Sequence, residues 1–372
     1  MDSPNNQIST DIAGKIYHSW RTHWKDKYVH PYSSRYWNEC LAVDKMSRDQ
    51  LLELQRTRLQ ELVDEVVQHV PFYRTWAQSS GYQPGDSIDI NDLPIVSKDD
   101  YVADMEAFQS DAYSLDEMGR AKTSGSSGEP FSFRLHPAPI DYSYCCLWRG
   151  LHWHGLGIGD RRVYVWGQSW QWVTFGWRRI LKRAKLGFRN WLNNTLFVNA
   201  YRLSEANVAR AFEDIQRFRP VYIHGYVSAI YMIAAYMQAN NKRFDFPLKA
   251  VVLESEKLYD FQRQAMDAAF NCSIVENYGS VEFGMIAAQD PEGRMRIHDD
   301  MHWVEQMPGT NEAVITKLRG RAYPFIRYRL GDIIELSPTI PAGRPYSVLN
   351  KVMGRTVDLI PLVGGGFMPG VS

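Results

Sequence analysis

Residues 221–275 read VYIHGYVSAIYMIAAYMQANNKRFDFPLKAVVLESEKLYDFQRQAMDAAFNCSIV, and this stretch decides the fold class. Three short runs rich in β-branched or aromatic residues, 221–224, 250–253 and 273–275, alternate with helix-length segments at 229–237 and 258–270. Strands separated by helices read as βαβ units around a largely parallel sheet, and residues 162–166 add an upstream strand of the same texture. Further upstream, Ser47 with Gln50 three residues on is a capping box. Leu59, Leu62, Val63, Val66, Val67 and Val70 follow at helical spacing, so the pattern predicts a long helix from Ser47 that Pro71 stops. Beyond Glu282 the texture changes. Strand-like pieces at 312–316, 325–328 and 332–336, separated by Gly and Pro turns, predict an antiparallel or barrel-like subdomain on the α/β body.

The composition agrees. Of 372 residues, 45% are hydrophobic and 23% charged, which suits a globular protein with a sizeable core and excludes disorder, collagen and coiled coil. With 42 Lys plus Arg against 42 Asp plus Glu, no global field draws polyanions, and nucleic acid is not an expected partner. The four cysteines, Cys40, Cys145, Cys146 and Cys272, contain no CxxC and give neither a disulfide framework nor a zinc ligand set. No cysteine stands near His298 or His302 in the chain. Residues 1–15 are polar, without the apolar segment of a signal peptide. The longest apolar stretch, 221–237, is interrupted by His224, Gly225 and Ser228, so a membrane span is not expected. A reducing cytoplasm is the simplest location.

Chemistry concentrates in four blocks. Thr123, Ser124, Gly125, Ser126, Ser127, Gly128, Glu129 and Pro130 make a loop of hydroxyls and glycines whose backbone can approach an anion closely, a phosphate cradle. Such runs also serve as flexible linkers, and no Gly-Lys-Ser/Thr ending makes this a Walker loop. Asn277, Tyr278, Gly279, Ser280, Val281 and Glu282 then place an aromatic, a turn glycine and a carboxylate just after a strand, where open α/β sheets hold ligands. Tyr278 can stack on a base, and Glu282 can hold Mg²⁺. Residues 324–332, PFIRYRLGD, end on Asp332, a carboxylate able to take two ribose hydroxyls. Gly354, Arg355, Thr356, Val357 and Asp358 supply a cation and a hinge.

In this order and spacing the four blocks resemble the adenylate-forming superfamily of acyl-CoA synthetases, nearest to its phenylacetate-CoA ligase-like branch, which includes capsule-biosynthesis proteins. Val70 to Arg74, Leu93 and Pro94 with Ser97 and Lys98, His224 to Ala229, and Glu254 to Glu256 match that branch as well. The resemblance implies an α/β fold, the large N-terminal domain of an adenylate-forming enzyme, with two layered αβ subdomains plus a small β-barrel-like subdomain. It implies that Ser124, Gly125, Ser126, Ser127 and Gly128 hold the ATP phosphates and that Glu254, Ser255 and Glu256 line the adenine pocket. Tyr278, with Asn277, Gly279 and Ser280 around it, would stack on adenine, Asp332 would bind ribose with Arg355 nearby, and Glu282 would coordinate Mg²⁺. Glu282 and Arg355 are the implied catalytic residues. Trp166, Ser169 and Tyr226 fall where the acyl pocket is built. The implied reaction activates a carboxylic acid as its acyl-adenylate and passes it to CoA. The alternatives are transfer to an amine, as in modification of a capsular polysaccharide, and a catalytically silent nucleotide-binding module.

Two departures accompany the resemblance. Glu129 and Phe131 stand where many members carry a phosphate-loop Lys. The chain also ends fourteen residues after Asp358, so the expected organisation is a domain over 1–357 with 358–372 as hinge and stub of a C-terminal domain, and adenylation by the chain alone is expected to be impaired. Residues 177–192 carry Arg178, Arg179, Lys182, Arg183, Lys185 and Arg189 opposite an apolar stripe. A solvated surface helix is the simpler reading, and contact with an anionic membrane surface is the sharper one.

Overall fold

A computed structural model describes residues 32–122, 131–167, 187–188, 190–191, 193–355, 359–361 and 367–369. The chain divides into two compact units: Arg35–Arg149 with Tyr278–Ser372, and Gly150–Asn277 with Met1–Ser34. The first begins with helices α1 (Ser33–Val43), α2 (Arg48–His69), α3 (Pro71–Ser80) and α4 (Lys98–Ala103). An antiparallel hairpin of β1 (Gly119–Lys122) and β2 (Ser132–Leu135) follows, then α5 (Pro137–Trp153).

The start of α2 is as the sequence predicts. Ser47 Oγ accepts from the Gln50 amide at 3.2 Å, and Gln50 Oε1 accepts from the Ser47 amide at 2.8 Å. Two otherwise unpaired amides at the helix start are thereby satisfied. Pro71 ends α2 and begins α3, where its missing N–H costs no helical hydrogen bond. The apolar face of α2 enters a core in which Tyr101 stacks on Phe108 at 3.9 Å and on Phe325 at 5.2 Å.

The second unit contains β3 (Arg162–Trp166), β4 (Thr195–Asn199), α6 (Val208–Phe218), β5 (Tyr222–Tyr226), α7 (Val227–Ala239), β6 (Ala250–Glu254), α8 (Asp260–Phe270) and β7 (Ser273–Ser280). Its strands are parallel in the order β4-β3-β5-β6-β7. The strands expected at 162–166, 221–224, 250–253 and 273–275 and the helices expected at 229–237 and 258–270 form, with ends moved by a few residues. β5 and β6 read as near-continuous buried runs, the pattern of parallel strands covered on both faces. Gly225 permits this sheet, because a Cβ there would lie 2.0 Å from the Val165 carbonyl oxygen. Gly225→Ala is therefore expected to cost about 1–3 kcal/mol through forced separation of β3 and β5, read as a lower denaturant midpoint at unchanged slope. An unchanged midpoint would show that β3 yields freely.

The chain re-enters the first unit at Tyr278. There β8 (Gly284–Gln289), β9 (Met295–Ile297), β10 (His302–Gln306), β11 (Glu312–Lys317), β12 (Tyr328–Leu336) and β13 (Val348–Arg355) form an antiparallel array in the order β10-β11-β12-β13-β9-β8. A hairpin of β14 (Leu359–Pro361) and β15 (Phe367–Pro369) follows.

One expected strand does not form as such. Residues 325–327 are irregular, with a bend at Arg327, and only Tyr328 belongs to a strand, as the start of β12, because Arg327 takes a φ of +46° and its amide donates to Thr316 Oγ1 at 2.9 Å. The Arg327 guanidinium fixes that turn through Glu305 Oε1 and the Leu93 carbonyl, each at 2.8 Å. Among the described residues no helix is long and apolar enough to cross a membrane.

Candidate functional site

In the unit built on the parallel sheet, the sequence-selected residues fall at the carboxyl ends of strands, where open α/β sheets bind ligands. Trp166 ends β3, Tyr226 ends β5 and Glu254 ends β6. The Trp166 and Tyr226 rings lie 4.3 Å apart, and Tyr164 stacks on Trp166 at 5.2 Å, making an aromatic wall. Burial, with Tyr201 adding to it, pushes the Tyr226 hydroxyl up to about 12, so the wall presents a neutral phenol. His224, one of the β5 residues, is 1% exposed, and its Nε2 lies 2.8 Å from Glu254 Oε2.

Past β6, Ser255 adopts a φ of +71°, a left-handed conformation that a serine holds only where its surroundings impose it. Glu256 is turned back onto α7, accepting from the Ser228 amide at 2.6 Å and from Ser228 Oγ at 2.9 Å. A carboxylate there satisfies an unpaired amide at the positive end of a helix. Asn277 Nδ2 is buried and has no hydrogen-bond partner among the described residues, which leaves a donor for a ligand acceptor.

In the other unit residues 278–282 and the block at 324–332 meet. Tyr278 Oη donates to Asp332 Oδ2 at 2.6 Å across 54 residues of sequence. Asp332 is 9% exposed and sits opposite Arg355 in the β12-β13 register. Gly279 is needed because a Cβ would lie 2.5 Å from the Gly284 carbonyl oxygen. Ser280 Oγ accepts from the Phe283 amide at 3.2 Å and closes the turn that presents Glu282. Whereas the sequence places Asn277 to Ser280 just after a strand, they continue β7 itself, and Val281 and Glu282 lie beyond it.

Glu282 is 8% exposed, and no described residue donates a hydrogen bond to its carboxylate. Its carbonyl oxygen accepts from Lys317 Nζ at 2.9 Å. Burial lowers the Lys317 ammonium to about 8, with the Glu282 charge opposing the fall. A buried carboxylate with uncommitted lone pairs suits a hard cation. The other cations of the 324–332 block are committed, Arg327 to Glu305 and Arg329 to Glu312.

Ser124, Gly125, Ser126, Ser127 and Gly128 of the phosphate loop, Ser169, most of the basic segment 177–192, and Asp358 of the hinge lie outside the described residues. Sequence reasoning missed Lys317 and the His224–Glu254 pair. A lysine closing the otherwise apolar run Ala313 to Ile315 was the available signal for the first. Nothing local signals the second, since the partners belong to neighbouring parallel strands 30 residues apart.

Known proteins match this picture in sequence and in fold. Protein CapK of Staphylococcus aureus is 25% identical over 378 residues, covering 98% of this chain and 78% of that protein. A phenylacetate-coenzyme A ligase of Aromatoleum evansii is 26% identical over 348 residues, covering 88% of this chain and 75% of the ligase. Among solved structures, 2-hydroxyisobutyryl-CoA ligase, in an open conformation with 2-HIB-AMP and CoA, superposes with a TM-score of 0.64 at 19% identity. The match covers 84% of this chain and 76% of that one. The same ligase in its postadenylation state gives 0.66 over 85% and 69%. No protein-family model matches the chain.

Proposed function

We propose that this chain, which has the fold of the adenylate-forming CoA ligases and sequence relatives in CapK and the phenylacetate-CoA ligases, activates a carboxylic acid with ATP and passes the acyl group to CoA. A substrate carboxylate oxygen attacks the α-phosphorus, the bond to the bridging oxygen breaks, and pyrophosphate leaves. The CoA thiol then displaces AMP from the acyl carbon. Such displacements need positioning and charge neutralisation rather than a covalent enzyme intermediate.

The observation that carries this reading is the hydrogen bond from Tyr278 to Asp332, which joins the base-stacking and ribose-binding blocks. Anchored through its hydroxyl, the Tyr278 ring has a fixed plane on which adenine can lie. Asp332 takes the ribose hydroxyls, and the uncommitted amide of Asn277 is a donor for an acceptor on the nucleotide. Glu282 is the residue that would hold Mg²⁺, which when bound neutralises phosphate charge. The aromatic wall of Trp166 and Tyr226 suits an apolar or aryl acid, with Ser169 in the same region by resemblance.

Substrate-dependent release of pyrophosphate across a panel of carboxylic acids tests the reading, and product analysis with CoA and with amines identifies the acceptor. Nucleotide binding without pyrophosphate release for any acid would leave the silent module. Asp332→Ala should weaken ATP binding by about 1.5–3 kcal/mol, the worth of a hydrogen bond to a charged acceptor. Calorimetry giving equal affinities would remove Asp332 from the site.

A further inference from the structure

Three of the four cysteines, scattered in sequence, meet in the fold. Cys40 comes from α1, and Cys145 and Cys146 come from α5. All three are buried and free of disulfides. Cys40 lies beside both α5 thiols. Met301 Sδ lies 4.0 Å from Cys146 Sγ. One ligand atom each from Cys40, Cys146 and Asp300 lies within 4.8 Å of the other two. We propose that Cys40, Cys146 and Asp300 form a binding site for one thiophilic divalent cation of the zinc class.

Tetrahedral zinc with Zn–S bonds of ~2.3 Å sets its sulfurs about 3.8 Å apart, so closure needs movements of roughly 1 Å. Asp300 has capacity for the metal. Its Oδ2 accepts from Tyr142 Oη at 2.5 Å and Arg149 Nη1 at 3.0 Å, whereas among the described residues Oδ1 accepts only from Arg149 Nη2, at 2.7 Å. Arg149 also reaches His298 Nδ1 at 2.7 Å and fixes the carboxylate's plane, an outer-shell role.

Charge closes as well. Without metal, the Asp300 carboxylate balances the Arg149 guanidinium. With metal, the two cysteines bind as thiolates, any thiol proton leaving to solvent, and M²⁺ + 2 RS⁻ → M(SR)₂ closes with metal and thiolate charges cancelling. Such neutrality is what a site with little access to solvent requires. Met301 Sδ, 4.0 Å from Cys146 Sγ, is a further sulfur beside the site.

Co²⁺ titration of the metal-free full chain tests the site, because thiolate coordination gives intense sulfur-to-cobalt charge-transfer absorption. One Co²⁺ per chain is expected to bind. Cys40→Ser and Cys146→Ser should weaken binding roughly tenfold or more, since even outer-shell changes act on that scale. Cys272→Ser, outside the cluster, should leave it unchanged. Absence of the charge-transfer band in the parent chain, or a band retained in Cys40→Ser, overturns the site. If either serine variant fails to fold by circular dichroism, X-ray absorption of the cobalt-loaded parent decides: two or more sulfur ligands support the site, and a shell without sulfur overturns it.

Discussion

Arg149→Met is expected to lower the unfolding free energy by about 3–5 kcal/mol, the cost of stranding one member of a buried ion pair. Both partners are 0% exposed in their side chains, and Arg149 holds Asp300 through two parallel contacts. Burial alone would push the Asp300 carboxyl up, but the Arg149 charge and its hydrogen bonds outweigh it and hold the group well below the usual carboxylate range. Because the folded value is depressed, the stabilisation is present above the unfolded value of about 3.9 and is lost as pH falls toward the folded one. The parent protein should therefore lose stability in acid more steeply than Arg149→Met does. Denaturant melts at pH 7 and at decreasing pH check both points. Replacing both partners, Arg149→Met with Asp300→Leu, should recover much of the loss, since no unpaired charge remains. Equal stability of parent and single variant would mean that water reaches this pair.

Glu282→Gln is expected to reduce acid-dependent pyrophosphate exchange about 10²–10³-fold, by analogy with removing one preorganised charge-stabilising group. This follows from the proposed adenylation chemistry, in which Glu282 holds the cation beside the phosphates. The fold should survive, because Lys317 is bonded to the Glu282 carbonyl and not to its carboxylate. The variant also removes the charge that supports the Lys317 ammonium, so Lys317 should titrate below its present value of about 8. Exchange kinetics against magnesium concentration provide the check, with a melting curve to confirm folding. A variant exchanging at the parental rate would take the cation away from Glu282.

These expectations rest unequally on sequence and structure. Much of the parallel unit is legible in the sequence because β3, β5, β6, β7, α7 and α8 are local apolar patterns, although β4 and α6 are not among the expected elements, and the capping box of Ser47 and Gln50 is local too. The failed strand at 325–328 shows where such reading ends: its apolar and aromatic residues suit a strand, but Arg327 is held by Glu305 and the Leu93 carbonyl, partners from elsewhere in the chain. The blocks carrying Tyr278, Glu282 and Asp332 stand out as motifs, yet the hydrogen bond that joins Tyr278 to Asp332 arises only when the strands assemble.

Cysteine spacing marks the limit most sharply. By sequence, Cys40, Cys145 and Cys146 are too irregularly placed to form a ligand set. Tertiary packing of α1 and α5 with the loop bearing Asp300 brings ligand atoms of Cys40, Cys146 and Asp300 within 4.8 Å of one another. Sequence alone determines what each segment can form with its own neighbours, since helical and strand periodicity and capping act over a few residues. Which side chains share a buried space, and so which charges pair and which ligand atoms converge, is decided by tertiary structure, because those distances depend on how separate elements pack.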